Sequence, residues 1–563
     1  MSIKIASLQL RAFELGEARA ALDHAISMIE QAVEEHHPDL IVTPECTYPA
    51  YVLGSAQEFS QNYPGDPLPR LSDLARKHQI HLCVGLATPA ESEGGPVIYN
   101  EAVLLGPDGS LIGRTAKSLL WHFDTRWFCP GASYPVFETA LGRIGMLVCA
   151  DGRQPEIARS LALAGAQIIL DPTCWVTSGS DRRDLHNQQA DYMLAARAWE
   201  NGVWCVASDK VGLERGTVLY AGRSSIIGPD GKKVAEGPSD SEAVVVAEIP
   251  DLKPRSLSPA PRRPALYSNL SRTTEELPVH ALLQEPLIPS RAQLRAAVAQ
   301  YPPFTSTQEM GEVVRPLIAQ LARENVELVV LPDVTPNVAE EAAWRSDLVF
   351  PFYRSLSKLS GVAILATAVE QEGHRRYKTA CLFAQGQEIG LWRQAHFTPQ
   401  DEGRWTPSAE IGPVVKFPGQ SGTRLSVMLG ADGFGSETAR SLMLNGADVI
   451  LWPVRASLPG SAGFDLSHLA RTRAAENRVY ILCSTPLEEA SGLAGGTYQG
   501  RSLIADPNGV VVAPALPDTA MAVSAQLSIS SCREKLRVPG TDVVYSRRPD
   551  LYGLLVKEDG VEL

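Results

Sequence analysis

Three side chains in the first half of the chain have the types and contexts for nucleophilic chemistry. Glu45 closes the run LIVTPE, Lys117 follows SLIGRTA, and Cys149 closes IGMLVC. A cysteine thiolate is a nucleophile, and a carboxylate beside it can take the thiol proton and return it. A nearby lysine can stabilise the thiolate. None of the three is persuasive alone. A cysteine ending an apolar strand is usually a small buried hydrophobe, and isolated glutamates and lysines are usually caps, ion pairs or solvated charges.

The elements around them supply the common frame. KIASLQL reads as a strand, a 3.6-residue apolar period predicts a helix over roughly Glu17 to Glu35, and LIVT returns to a continuous apolar run. IGMLVC, a helix and QIIL repeat the scheme, with Pro155 suited to a first helical turn and Gly165 to its end. GPDG at Gly106 and at Gly228 predicts tight turns between further strands. This is a layered α/β pattern whose apolar strands call for sheets covered on both faces. Glu45 and Cys149 then stand at the carboxyl ends of buried strands, where such sheets usually hold ligands. A helix starting near Pro155 would add its N-terminal dipole to Lys117 in stabilising a thiolate.

The pattern is written twice. LIVTPE at Glu45 pairs with LVVLPD at Asp333, and VCADGRQPEIARSLALAGAQIIL with LGADGFGSETARSLMLNGADVIL. RAWENGVWCVASD pairs with RAAENRVYILCST, YAGRSSIIGPDG with YQGRSLIADPNG, and RRPALY at Arg262 with RRPDLY at Arg547. Five blocks in one order, at offsets of 276 to 288 residues, identify a tandem duplication. The length of 563 residues already exceeds what one hydrophobic core supports. The boundary is placed after the first closing block: residues 1–273, a proline-bearing linker at 274–290, and residues 291–563.

Composition narrows the function classes. With 44% hydrophobic and 20% charged residues the chain has the balance of a globular protein. A net charge of −13, spread without blocks, argues against nucleic acid as a partner. No apolar stretch approaches the roughly 18 residues of a membrane span, and the first ten residues do not read as a secretion signal. No membrane association and a cytoplasmic location are expected. The 9 cysteines form no CxxC pairs, so neither a disulfide framework nor a metal cluster is expected.

Glu45 in PEC, the block YNEAVLLGPDGSLIGRTAKS leading to Lys117, CADGRQPE at Cys149, RAWEN at Arg197, GRSSIIGPDG at Gly222 and RRPALY together resemble the nitrilase superfamily of carbon–nitrogen hydrolases. The resemblance covers nearly all of residues 1–273. It implies a four-layer αββα sandwich in each half, the two halves packed as an intrachain pseudo-dimer. It also implies a Glu45–Lys117–Cys149 triad in which Cys149 attacks an amide carbonyl and forms a thioester. Glu45 then acts as general base, and Lys117 holds the oxyanion with the backbone N–H of Ala150. No metal and no organic cofactor is implied. Family members often carry a second acid a few residues beyond the lysine. Thr125 occupies that position, so Asp124 is the candidate, with a solvated loop aspartate as the equal alternative. Tyr51, His122 and Trp175, with Phe123 and Arg126, follow motif residues closely enough to line a substrate pocket, or to be packing. Arg126 or Arg153 would suit a substrate carboxylate, Arg153 otherwise being part of the framework.

In the second half Asp333, Gln394 and Gly430 stand where Glu45, Lys117 and Cys149 stand in the first. Lys117 to Pro130 and Gln394 to Pro407 are both thirteen residues apart, which supports the register. Glycine is no nucleophile, and glutamine has no charge for an oxyanion, so this copy is expected to be non-catalytic. Glu402, opposite Thr125, has no partner to serve. Nitrile-cleaving members carry Trp-Glu after the cysteine; here Ala150 and Asp151 follow, which favours an amide. A small-molecule amidase is the leading reading. Acyl transfer or glutamine-amide transfer with the same triad, and a non-catalytic binding or scaffold protein, are the alternatives.

Overall fold

The computed structural model describes the whole chain except residues 1, 178–180, 182, 251, 253–259, 286–291, 305, 336–343, 402, 420, 456–463, 490–497 and 558–563. Glu402 therefore lies outside the described residues.

The chain forms two compact units, and each draws on both ends of the repeat. The first comprises Met1–Leu257 with Leu536–Leu555; the second comprises Ser258–Lys535 with Val556–Leu563. Ser258–Thr273, and the part of 274–290 that forms the helix Pro278–Gln284, belong to the second unit.

In the first unit, the strand Ile3–Arg11 runs parallel to Leu40–Val42, which runs parallel to His81–Ser92. Gly95–Leu105 and Leu111–Ala116 continue this eight-stranded sheet antiparallel. A second, six-stranded sheet has the parallel strands Gly142–Met146, Ile168–Pro172 and Trp204–Ser208 at its centre. The turn glycines Gly106 and Gly228 each precede the return strand of a hairpin. The helix expected over Glu17 to Glu35 is Ala18–His36, and its buried stripe of Ala18, Ala21, Leu22, Ala25, Ile29 and Ala32 covers the first sheet. Between the sheets pack Ile3, Ile5, Val42 and Leu104 from one side and Ile144, Ile168 and Val206 from the other. The helix Pro155–Leu163 begins on its proline and, with Leu194–Asn201, covers the outer face of the second sheet. The order of layers is helix, sheet, sheet, helix.

The second unit repeats this arrangement. Gln293–Gln300, Leu328–Val330, Ala363–Glu372, Arg375–Ala384, Gln387–Arg393 and Met521–Ser528 make one sheet. Val449–Pro453 and Tyr480–Ser484 are central in the other. Helices Thr307–Arg323 and Ser346–Ser360 bury Val314, Ile318, Val349 and Tyr353 against the first of these. Among the described residues, no helix is long and apolar enough to cross a membrane.

Candidate functional site

Glu45 leaves the strand Leu40–Val42 through Thr43 and Pro44. The turn fits only because Gly85 lies beneath it: a Cβ at Gly85 would come within 2.2 Å of Pro44 O and 2.6 Å of Glu45 Cα. The turn is pinned to the neighbouring strand by Thr47 N, which donates to Gly85 O at 2.8 Å. Lys210, buried, donates from Nζ to Cys46 O at 3.0 Å and fixes the next peptide. Glu45 itself has no solvent exposure.

Its carboxylate is held at one oxygen and free at the other. Lys117 Nζ lies 2.7 Å from Glu45 Oε1, and Asn100 Nδ2 donates to the same oxygen at 2.6 Å. Glu45 Oε2, although buried, accepts no hydrogen bond from any described residue. Lys117 is also 2.7 Å from Asp124 Oδ2, and Lys117 and Asp124 are both wholly buried. Asp124 is thus not a solvated loop residue. It sits in a short 3-10 turn, His122–Arg126, and accepts from Trp121 N at 2.8 Å, while Thr125 points outward and donates to His122 O. Burial alone would lower the affinity of Lys117 for its proton; Asp124, Cys149 and Glu45 outweigh it, so the ammonium persists far into alkali.

Cys149 follows the strand Gly142–Met146 and opens the 3-10 turn Cys149–Arg153 with φ at +50°, a left-handed conformation that side-chain-bearing residues rarely adopt. Two contacts fix it there. Cys149 N donates to Asp171 Oδ1 at 2.7 Å, and Gln189 Nε2 donates to Cys149 O at 2.7 Å. Ala150 follows in the first turn, where backbone N–H groups have no intrahelical acceptor. Asp151 joins this elbow to the lysine-bearing loop. Its Oδ1 accepts from Leu119 N at 2.7 Å and from Ser118 N at 3.1 Å, and its Oδ2 accepts from Val148 N at 3.2 Å.

The thiol is protonated in this setting. Burial, then the Glu45 carboxylate, push Cys149 well above the ordinary cysteine range, and Lys117 reverses only part of this. Of the two stabilising influences read from the sequence, Lys117 does lower the thiol, but by less than burial raises it.

The other predicted residues separate. The Tyr51 ring, buried among Cys46, Cys174 and Phe128, has its centroid 5.9 Å from Lys117 Nζ. Trp175 lies in the same buried cluster as Cys149 and the strands of the second sheet, with its backbone N–H on Asp209. His122 has φ at +50° and packs edge-on against Phe123. Arg126 is exposed over Phe123, whereas Arg153 is half-buried, stacks on Trp121 and donates to Gln188 Oε1 and Asn187 Oδ1. Sequence reasoning missed Asn100 and Asp171. Asn100 lay inside a recognised block, and Asp171 directly follows the run QIIL, but only the folded chain brings them to Glu45 and Cys149.

The corresponding place in the second unit is built differently. Asp333 turns onto its own backbone, its Oδ1 accepting from Thr335 N and Thr335 Oγ1, and its Oδ2 is 3.8 Å from Lys378 Nζ. At Gly430 a Cβ would come within 2.8 Å of Gln394 Oε1. Trp452 stands where the first unit has Asp171 and donates from Nε1 to Gly430 O at 2.9 Å. Asp432 keeps the loop-joining bonds of Asp151, accepting from Ala395 N, His396 N and Leu429 N. The bracing is retained, and the reactive groups are replaced.

Among the described residues no cluster of histidine, cysteine, aspartate and glutamate side chains could hold a metal ion.

Comparison with known proteins agrees with the duplicated pattern. The family described as carbon-nitrogen hydrolase matches residues 4–253 and again 295–535. A nitrilase from Pyrococcus abyssi is 31% identical over 252 residues, 44% of this chain and 89% of that protein. A probable nitrilase from Schizosaccharomyces pombe is 29% identical over 45% of this chain and 92% of that protein. An omega-amidase from Homo sapiens is 26% identical over 45% and 90%. Among solved structures, an amidase from Nesterenkonia sp. is 27% identical over 44% of this chain and 90% of that one, with a TM-score of 0.38. With both halves matched by one family over most of their length, the chain belongs to the carbon-nitrogen hydrolases as a tandem pair.

Proposed function

We propose that the first unit hydrolyses a small non-peptide amide through a thioester on Cys149, and that the second unit is non-catalytic. The observation that carries this reading is the divided carboxylate of Glu45: Oε1 is fixed by Lys117 and Asn100, while Oε2 is buried without a donor. A carboxylate so arranged, beside a thiol that burial keeps protonated, is suited to general base catalysis.

The steps then balance. Glu45 Oε2 takes the thiol proton as Cys149 Sγ bonds to the amide carbonyl carbon, and the carbonyl oxygen becomes an oxyanion facing Lys117 and the N–H of Ala150. On collapse the C–N bond breaks, Glu45 returns the proton to the leaving nitrogen, and ammonia or an amine departs. Water attacks the thioester, giving its proton to Glu45. The acid leaves, and Sγ regains a proton. Asp124 keeps Lys117 charged throughout. In the second unit Gly430 offers no nucleophile, and Gln394 occupies the space a side chain there would need.

The test is release of ammonia or amine from a panel of short-chain, amino-acid, carbamoyl and aromatic amides and nitriles, with intact-mass detection of an acyl adduct. Turnover of amides, with an adduct that disappears in Cys149→Ala, is expected. Turnover retained in that variant would refute it.

A further inference from the structure

We propose that the segment Leu536–Leu555, outside both family-matched stretches, is a positioning element for the site of the first unit: it clasps the loop that carries Lys117 and Asp124. The proposal rests on the amidase reading for its kinetic consequences, and on hydrogen bonding for its structural ones.

Leu536–Val538 and Thr541–Asp542 form a small antiparallel hairpin. Its base is braced by Asp542, whose Oδ1 accepts from Val544 N and Tyr545 N. The hairpin presents Thr541, which is 2% exposed, to the backbone between Lys117 and Asp124. Thr541 Oγ1 donates to Leu120 O at 2.9 Å and accepts from His122 N at 3.1 Å. One hydroxyl thereby satisfies two backbone groups immediately before the turn that sets Asp124 against Lys117. Gly540, at φ +85°, brings the hairpin tip close to Thr125: a Cβ there would lie 3.5 Å from Thr125 Oγ1.

A second clasp closes the far end of the loop. Arg548 Nη1 donates to Gly131 O at 2.8 Å, and Gly131 N donates to Lys117 O at 2.8 Å. A third contact reaches the cysteine side. Arg537 Nη1 donates to Gln188 Oε1 at 2.9 Å, next to Gln189, which holds the carbonyl of Cys149. The segment therefore touches the loop before and after Asp124 and the residue beside the elbow's anchor. Side chains that place reacting groups can cost on the order of a hundredfold in rate when the geometry slips by about 1 Å.

In the second unit the first closing block makes comparable arginine contacts. Arg263 donates to Ala395 O, and Arg262 pairs with Glu437 at 3.1 Å. There the block braces a loop without a lysine–aspartate pair.

The experiment uses the full chain with Thr541→Val, which keeps the shape and removes both hydrogen bonds, and Thr541→Ser, which keeps the hydroxyl. Each is assayed for kcat and KM on an amide turned over by the wild type, for melting temperature, and for hydrogen exchange in peptides covering residues 119–131. Thr541→Val is expected to lose about tenfold to a hundredfold in kcat with less change in KM, to exchange faster in those peptides, and to be rescued by Thr541→Ser. A folded Thr541→Val with wild-type kcat and exchange overturns the proposal. So does a lower melting temperature with kcat unchanged, which would make the segment a brace for the fold alone. Arg548→Gln, at a half-exposed side chain, replaces it if Thr541→Val does not fold. Faster exchange in a protein whose wild type hydrolyses no amide would sink the amidase reading and leave the clasp standing.

Discussion

Lys117 Nζ lies 2.7 Å from Glu45 Oε1, and solvent reaches neither side chain. A buried pair of this kind costs desolvation on both sides, and is stable here because Asn100 and Asp124 complete the shell. It leaves the proposed base, Glu45, with Oε1 held in place and Oε2 without a hydrogen bond from any described residue.

Replacing the lysine tests both roles. Lys117→Met leaves Glu45 and Asp124 buried without their cation. The expected outcome is a fall in kcat on the order of a hundredfold to a thousandfold for the lost oxyanion donor. A loss of about 3–5 kcal/mol in stability for the broken buried pair is expected with it. Steady-state kinetics and urea unfolding read the two effects separately, and wild-type kcat in a folded variant would contradict the assignment.

Asp171 holds the backbone of Cys149 through Oδ1, and burial pushes its carboxyl well above the usual carboxylate range. Asp171→Asn keeps an acceptor oxygen for the Cys149 N–H at the same place, and kcat within about threefold of wild type is expected. Asp171→Ala leaves the buried Cys149 N–H without a partner, a penalty of about 1–3 kcal/mol that also frees the left-handed elbow. A variant series in which Asn and Ala behave alike would contradict the hydrogen-bonding role.

Burial raises the Asp151 carboxyl to about 6, despite donors at Leu119, Val148 and Ser118. Its folded-state pKa lies above the unfolded value near 3.9, so the folded state binds this proton more tightly. The resulting stability is complete below the unfolded value and is lost as pH rises towards about 6. Asp151→Asn removes the titration. The stability difference between wild type and this variant should therefore shift against wild type, by up to about 1.4 kcal/mol per pH unit, between pH ~4.5 and ~6. Chemical denaturation at several pH values checks the sign, and a difference that moves the other way would contradict it.

Restoring a cysteine to the second unit should not restore chemistry. Gly430 has φ at +56°, and Gln394 lies within 2.8 Å of the position a Cβ would take. In the background of Cys149→Ala, Gly430→Cys is expected to release no ammonia and to melt a few degrees lower, strain at such a position costing on the order of 1 kcal/mol or more. Amide turnover in that double variant would contradict the non-catalytic assignment.

Much of the fold was legible because local signals agreed with it. The apolar stripe from Ala18 to Ala32 marked its helix within a residue at each end, Pro155 marked a helix start, and Gly106 and Gly228 marked hairpins. Glu45 and Lys117, singled out by their sequence contexts, are in direct contact in the fold, whereas the loop-joining bonds of Asp151 were not anticipated. Three further things were not legible. The protonation of Cys149 depends on burial, which no local pattern encodes. Asn100 and Asp171 act through contacts 55 and 22 residues away in sequence. A chain that carries the same closing block twice, RRPALY and RRPDLY, does not reveal which compact body each copy joins, because Glu156 and Glu437 offer each arginine the same partner.

The most direct measurement of the central claim is intact mass under single turnover, wild type against Cys149→Ala, with an amide that the wild type hydrolyses. The account predicts a transient adduct equal to the acyl group, mapped to the peptide holding Cys149, and neither adduct nor ammonia from the variant. An adduct on another residue, or ammonia release that survives the loss of Cys149, would contradict it.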